Sequence, residues 1–155
     1  MNEFDGSGPG EKVDEEQSSI DHSLIAAYLE TEYCVTDPSA FTLKVGQPNS
    51  DLLATHHRHQ VKCSAFLTAW NPYSEHFDPA KNADRQADLE RELLRRDLIF
   101  LSGIGQHPSN GWEGEESFLI FGLDLDSARQ LGRQFRQNGF IWSGADGIPQ
   151  LILLR

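Results

Sequence analysis

Three carboxylates, Glu113, Glu115 and Glu116, follow Trp112 closely and precede the apolar run Phe118–Phe121. A carboxylate held against an indole loses part of its hydration. Its charged form becomes less favourable and its pKa rises toward the range useful to a general acid or base. Glu115, with Glu116 as the alternative, is the candidate for that role; the same three charges also suit a solvated loop. Asn71 closes one apolar segment, and Gln137-Asn138 closes another. Amides donate and accept at once, which suits recognition of a polar ligand as well as ordinary turn capping.

Other constellations carry less. His56, His57 and His59 stand close together, with His56 and His59 spaced to share a helix face. No cysteine pair and no HExxH accompanies them, so they read as exposed helix histidines and not as metal ligands. Gly103-x-Gly105 follows an apolar stretch, but the third glycine is missing, Pro108 intervenes and no helix start follows. That excludes a dinucleotide-binding turn and leaves a Gly-rich loop, 103–112, able to approach a ligand closely. Arg129, Arg133 and Arg136 recur at i, i+4, i+7, a basic stripe that would meet an acidic partner or simply form an exposed helix face. The serines lack a GxSxG setting and no Cys–His pair is near in sequence, so no nucleophile triad is indicated.

The net charge is −11, and residues 1–19 hold six acids against one lysine, so −5 of it lies there. An acidic surface repels phosphate backbones, which argues against non-specific nucleic-acid binding. Cys34 and Cys63 are far apart and form no disulfide framework. The N-terminus lacks a basic-then-apolar leader and no apolar run reaches membrane-spanning length, so the expectation is a soluble, cytoplasmic protein without a membrane partner.

The elements that must position these groups follow from pattern. Residues 1–19 are Gly-, Glu- and Asp-rich and predict a disordered acidic tail ahead of a single domain over 20–155. Ser18-Ser19-Ile20-Asp21 opens a helix over 20–32. Phe41–Val45 alternates and predicts a strand, and Asn49 or Ser50 caps a short helix. A buried strand runs from Lys62 to Trp70 and stops at Asn71-Pro72. Asp78-Pro79 caps a helix to about Arg96. Strands follow at 98–101 and 116–123, the latter covered on both faces. A helix carries Ala128, Leu131 and Phe135 and stops at Asn138-Gly139, and strands at 140–143 and 148–154 flank a hairpin loop, the last at a sheet edge because of Pro149. The resulting class is α+β, a small mixed or antiparallel sheet with helices mainly on one face and a ferredoxin-like split βαβ core.

Thr68-Ala-Trp-Asn-Pro72, Asn82-x-x-Arg85, Gly103-x-Gly105, Trp112-x-x-Glu115-x-Ser117-Phe118 and Ala128-x-x-Leu131-Gly132-x-x-Phe135-x-Gln137-Asn138 form an ordered set. Together they resemble a bacterial family of domains of unknown function whose hallmark is the TAWNP pentapeptide. The likeness spans about residues 24–154; Gly139 stands where that family has alanine. The family carries no established activity. The resemblance implies that Trp70, Asn71, Asn82, Arg85, Trp112, Glu115, Ser117, Gln137 and Asn138, polar or aromatic and placed at element ends, converge on one rim. On that expectation the chain is a binding module for a small anionic or polar ligand, with Arg85 clamping the anionic group, the amides fixing orientation and Trp70 and Trp112 as walls. An enzyme acting on a small polar or nucleotide-like substrate through Glu115 is the second reading, and a domain for protein contacts the third. No cofactor and no metal is called for.

Overall fold

The computed structural model describes residues 18–155, so the stretch expected to form the acidic tail lies outside the described residues up to position 17. The first helix, α1 (His22–Glu30), is capped by the Asp21 carboxylate, which accepts from the Ser23 N–H at 2.8 Å. Within Ser18-Ser19-Ile20-Asp21 the cap is therefore the acid and not a serine hydroxyl, and the helix starts two residues later than position 20. The chain turns directly into a strand that pattern did not reveal, β1 (Glu32–Val35), which pairs with β2 (Phe41–Leu43) in an antiparallel hairpin. Asn49 caps α2 (Ser50–Arg58) by accepting from Leu52 N–H at 2.9 Å. All four residues of β3 (Ser64–Leu67) are buried. Asp78 caps α3 (Pro79–Arg95), with proline in the first turn where no donor is needed. After β4 (Phe100–Gln106) and β5 (Glu115–Phe121) come α4 (Leu125–Gln134), capped by Asp124, and the hairpin of β6 (Gly139–Ser143) with β7 (Gln150–Leu153).

The seven strands form one sheet in the order β2-β1-β4-β5-β3-β6-β7, and every neighbouring pair is antiparallel. β5 lies between β3 and β4, the two strands that α3 connects, and β3 lies between β5 and β6, the two that α4 connects. β7 is at the edge, as Pro149 requires.

Both faces of this sheet are apolar, and helices cover both. On one face Leu67, Phe118 and Ile120 pack with Leu89 and Leu93 of α3 and Leu131 of α4. On the other, Phe66, Leu119, Phe121 and Ile141 pack with Leu52 of α2, and Ile25 of α1 meets Leu153. Helices mainly on one face is thus corrected to two on each. The reason is in the strands: Phe66-Leu67 and Phe118–Phe121 place apolar side chains alternately up and down, and each set needs cover. Cys34 and Cys63 are free thiols. Among the described residues no helix is long and apolar enough to cross a membrane.

Gly103 and Gly105 are not in a loop. They lie within β4, opposite Val35 and Tyr33 of β1. A Cβ on Gly103 would come within 2.7 Å of both the Cys34 carbonyl oxygen and the Phe66 ring, whereas one on Gly105 would meet nothing closer than 3.7 Å. Gly103→Ala should therefore destabilise the protein by about 1–3 kcal/mol, the range for forcing a methyl into packed surroundings. Gly105→Ala should change it by no more than roughly 0.5 kcal/mol. Urea denaturation of the two variants side by side checks the pair.

Candidate functional site

β3 ends at Leu67, three residues before the sequence pattern runs out, because the chain leaves the sheet to be gripped by α3. Asn82, Arg85 and Gln86, spaced to share one helix face, each bond the departing backbone. Gln86 Oε1 accepts from Ala69 N–H at 3.0 Å, and Arg85 Nε donates to the Ala69 carbonyl at 2.8 Å. Asn82 forms a reciprocal pair with Asn71: its Oδ1 accepts from the Asn71 backbone N–H at 2.8 Å, and its Nδ2 donates to Asn71 Oδ1 at 2.9 Å. Beyond it the backbone is left-handed at Asn71 (φ 46°), Tyr73 (φ 56°) and Ser74 (φ 61°). Side-chain-bearing residues seldom adopt that conformation, and it persists only where surrounding bonds over-determine it.

The bend delivers Asn71 to the carboxylate. Asn71 Nδ2 donates to Glu115 Oε2 at 2.8 Å, and the Trp112 indole N–H donates to the same oxygen at 3.2 Å. His76 stacks on Trp112 with ring centroids 4.2 Å apart. Burial pushes the Glu115 carboxyl above its ordinary pKa; the bonds from Asn71 and Trp112 and the nearby His76 offset part of the rise. Among the described residues Oε1 has no hydrogen-bond partner. Strand alternation settles which glutamate is which: Glu115 turns inward, and Glu113 and Glu116 are exposed.

A second polar group faces the same space. The hydroxyls of Tyr28 and Ser74 bond one another, and Asn138 Nδ2 donates to both, at 3.1 and 3.2 Å. Asn138 Oδ1 accepts from Arg155 at 3.1 Å, and that guanidinium lies 4.2 Å over the Tyr73 ring. Counting atoms fixes what is left over. Asn138 spends both amide protons, and one hydroxyl proton joins Tyr28 to Ser74. One hydroxyl proton and one hydroxyl lone pair remain, whichever hydroxyl acts as donor.

Both groups line a cavity of about 130 Å³ between α1, the sheet and the 107–114 loop. Its other walls are largely apolar: Leu24 and Ala27 of α1, Tyr33, Phe66, Phe140 and Leu151. Gly105 contributes room because it has no side chain. The loop is tied down by His107, whose Nδ1 accepts from Ser109 and Asn110 N–H at 3.1 and 3.0 Å, so that Nε2 carries the proton donated to Glu30 at 2.8 Å.

Of the residues expected to converge, Trp112, Glu115, Ser117, Gln137 and Asn138 line this cavity. Asn71 stands one bond behind it, and Asn82 one bond further, nearly fully buried at 2% exposure. Arg85 does not face it: its guanidinium donates to the Ala69 and Phe135 carbonyls, so the anion-clamp expectation is replaced by a brace. Trp70 is not a wall either; its carbonyl accepts from Gln137 Nε2 at 3.1 Å. Two other expectations change. Arg129 is buried, which breaks the basic stripe, and His56 is buried with Nε2 2.7 Å from Ser64 Oγ, the helix having turned it onto Phe121. No group of three or more His, Cys, Asp or Glu placed to hold a metal ion occurs among the described residues. Pattern reading missed Tyr28, Tyr33 and Ser74. Tyr28 carries the right signal, a phenol on an apolar helix stripe, where a buried hydroxyl needs a partner.

Asn82→Ala leaves the buried Asn71 N–H unpaired, while Asn71 Oδ1 keeps the Phe77 N–H at 3.0 Å, and should lower stability by about 1–3 kcal/mol, the cost of one unsatisfied group. Asn82→Asp keeps the acceptor but sets a buried carboxylate oxygen against Asn71 Oδ1 and the Phe77 carbonyl, and should cost at least as much. Chemical denaturation of both variants measures this.

No curated protein and no solved structure matches the chain at a significant level. A family model described as "Protein of unknown function (DUF3293)" matches residues 67–139, the stretch that carries the α3 brace, the bent segment, Glu115 and Asn138. Residues 67–139 of this chain, a little under half of it, are thus similar to that family of unknown function.

Proposed function

We propose that the protein is a binding module whose ligand is a small polar molecule with an apolar body, held in the cavity between α1 and the sheet. The observation that carries this reading is the convergence of unspent hydrogen-bonding capacity on an otherwise apolar space: Glu115 Oε1, with no partner among the described residues, and the left-over proton and lone pair of Tyr28 and Ser74. Small-molecule sites have this composition, apolar walls with a few placed polar groups. The anionic half of the expectation rested on Arg85, which is committed to two carbonyls. In the same spirit, the order β4-β5-β3-β6 with α3 and α4 on one face supports reading the core as a split βαβ. The free thiols support a reducing, intracellular setting.

A second reading is catalysis by Glu115 as general base or acid. It is favoured by one observation, a carboxyl whose pKa burial has raised and which keeps an oxygen uncommitted. The basic-stripe version of a protein-contact domain loses its continuity at buried Arg129.

A thermal-shift screen of small metabolites tests the binding reading. Ala27 lines the cavity on the α1 side. Ligands that raise the melting temperature of the native chain should lose that effect in Ala27→Phe, which fills the cavity. A screen without a hit, or hits indifferent to Ala27→Phe, overturns the reading.

Glu115 also makes stability depend on pH. Its pKa is raised in the fold, so the folded state holds the proton more tightly than the unfolded state. The contribution is fully present below the ordinary carboxylate value and is lost as pH rises through the raised one. Glu115→Gln cannot ionise and should lack this decline. The stability of the native chain relative to the variant should fall across that window, as denaturation at a series of pH values will show.

A further inference from the structure

The cavity is lined by five aromatic rings, those of Tyr28, Tyr33, Phe66, Trp112 and Phe140, together with one carboxylate, Glu115. Among the described residues no lysine and no arginine lines it. His107 is at the rim with both ring nitrogens committed, and Arg155 stands behind Asn138 with its guanidinium over Tyr73. Glu115 accepts two hydrogen bonds, both on Oε2, and Oε1 receives none from the described residues. A carboxylate taken from water needs its remaining oxygen satisfied, and a positive partner does this best. Aromatic faces carry negative potential and attract an organic cation while burying its hydrocarbon. An aromatic space with one half-satisfied carboxylate and no cation of its own is therefore built for a positively charged guest.

We infer that the ligand is a small organic ammonium ion, with its nitrogen donating to Glu115 Oε1 and its apolar body among the aromatic rings. This rests on the reading of the cavity as a ligand site and names the class of molecule that enters it. The left-over lone pair of Tyr28 or Ser74 gives the ammonium a second acceptor on the same wall. The binding step moves one proton. Where Glu115 is protonated, its O–H proton goes to solvent and the carboxylate pairs with the ammonium; no covalent bond is made. Affinity should accordingly rise with pH until Glu115 is ionised in the free protein. The other titratable and charged groups facing the carboxylate are His76 on Trp112, the Tyr28 and Tyr33 hydroxyls, the His107–Glu30 pair of the loop, and Arg155 behind Asn138.

Three probes of one shape separate the alternatives: phenethylamine, phenethyl alcohol and phenylacetate, titrated calorimetrically into the full chain and into Glu115→Gln and Ala27→Phe. The amine should bind the native chain at least about tenfold more tightly than the alcohol, the difference between a charge-assisted and a neutral hydrogen bond, and the carboxylate should bind most weakly. Glu115→Gln should bring the amine down to the level of the alcohol, and Ala27→Phe should abolish both. At pH values where amine affinity is still rising with pH, titration of the native chain in two buffers of different ionisation enthalpy should also show protons released on amine binding, a readout that does not depend on the variants folding. Equal binding of amine and alcohol overturns the ammonium class and leaves the cavity reading standing. Preference for phenylacetate overturns the ammonium class outright. Binding that survives Ala27→Phe, or no binding by any of the three, overturns the cavity reading together with the inference built on it.

Discussion

The reciprocal pair between Asn82 and Asn71 is the constraint on which the site depends. Asn82 is nearly inaccessible and offers an amide of fixed orientation from the middle of α3's first turns. It returns two hydrogen bonds to one residue, and that residue then stays left-handed while presenting its own Nδ2 to Glu115. Arg85 and Gln86 repeat the grip on Ala69. Without the helix, three left-handed residues in four would relax, and the carboxylate would lose one of its two donors. The chemistry of Glu115 is thus set by a residue that never touches the cavity.

The buried strands, the helix caps and the edge position of β7 were legible because they rest on short-range chemistry. Asp78-Pro79, Asn49 and Asp124 are local signals, and a run such as Phe118–Phe121 states its own two-sided burial. What failed was long-range. Glu32–Val35 looks like the frayed end of α1, since its strand character comes from pairing with residues 103–106 across the sheet. Gly103 and Gly105 read as loop because glycine is a breaker in isolation. In place, Gly103 is required by the approach of the Cys34 carbonyl and the Phe66 ring, both distant in sequence. The helices' distribution over two faces follows from the same two-sided strands, each apolar face needing its own cover.

At the site, residue type told more than residue role. Trp112, Glu115 and Asn138 line one space with Asn71 one bond behind it, and of the three adjacent glutamates strand alternation turns Glu115 inward. Arg85 shows the limit. A guanidinium near a polar cluster suggests an anion, yet its fork matches backbone carbonyls equally well, and only geometry shows that Ala69 and Phe135 already occupy it. Tyr28 and Tyr33 come from elements outside residues 67–139, so no motif within the matched stretch points to them.

The two sides of the cavity are anchored unequally. The floor belongs to the interior of a seven-stranded sheet, whereas α1 rests on the small cluster of Ile20, Ile25 and Leu153 and on the hydroxyls it shares with Ser74 and Asn138. Free energies of local opening track the apolar contact that must be broken. The α1 side has less apolar contact to break, so the two sides of the cavity differ in local stability and the sheet side is the more firmly held.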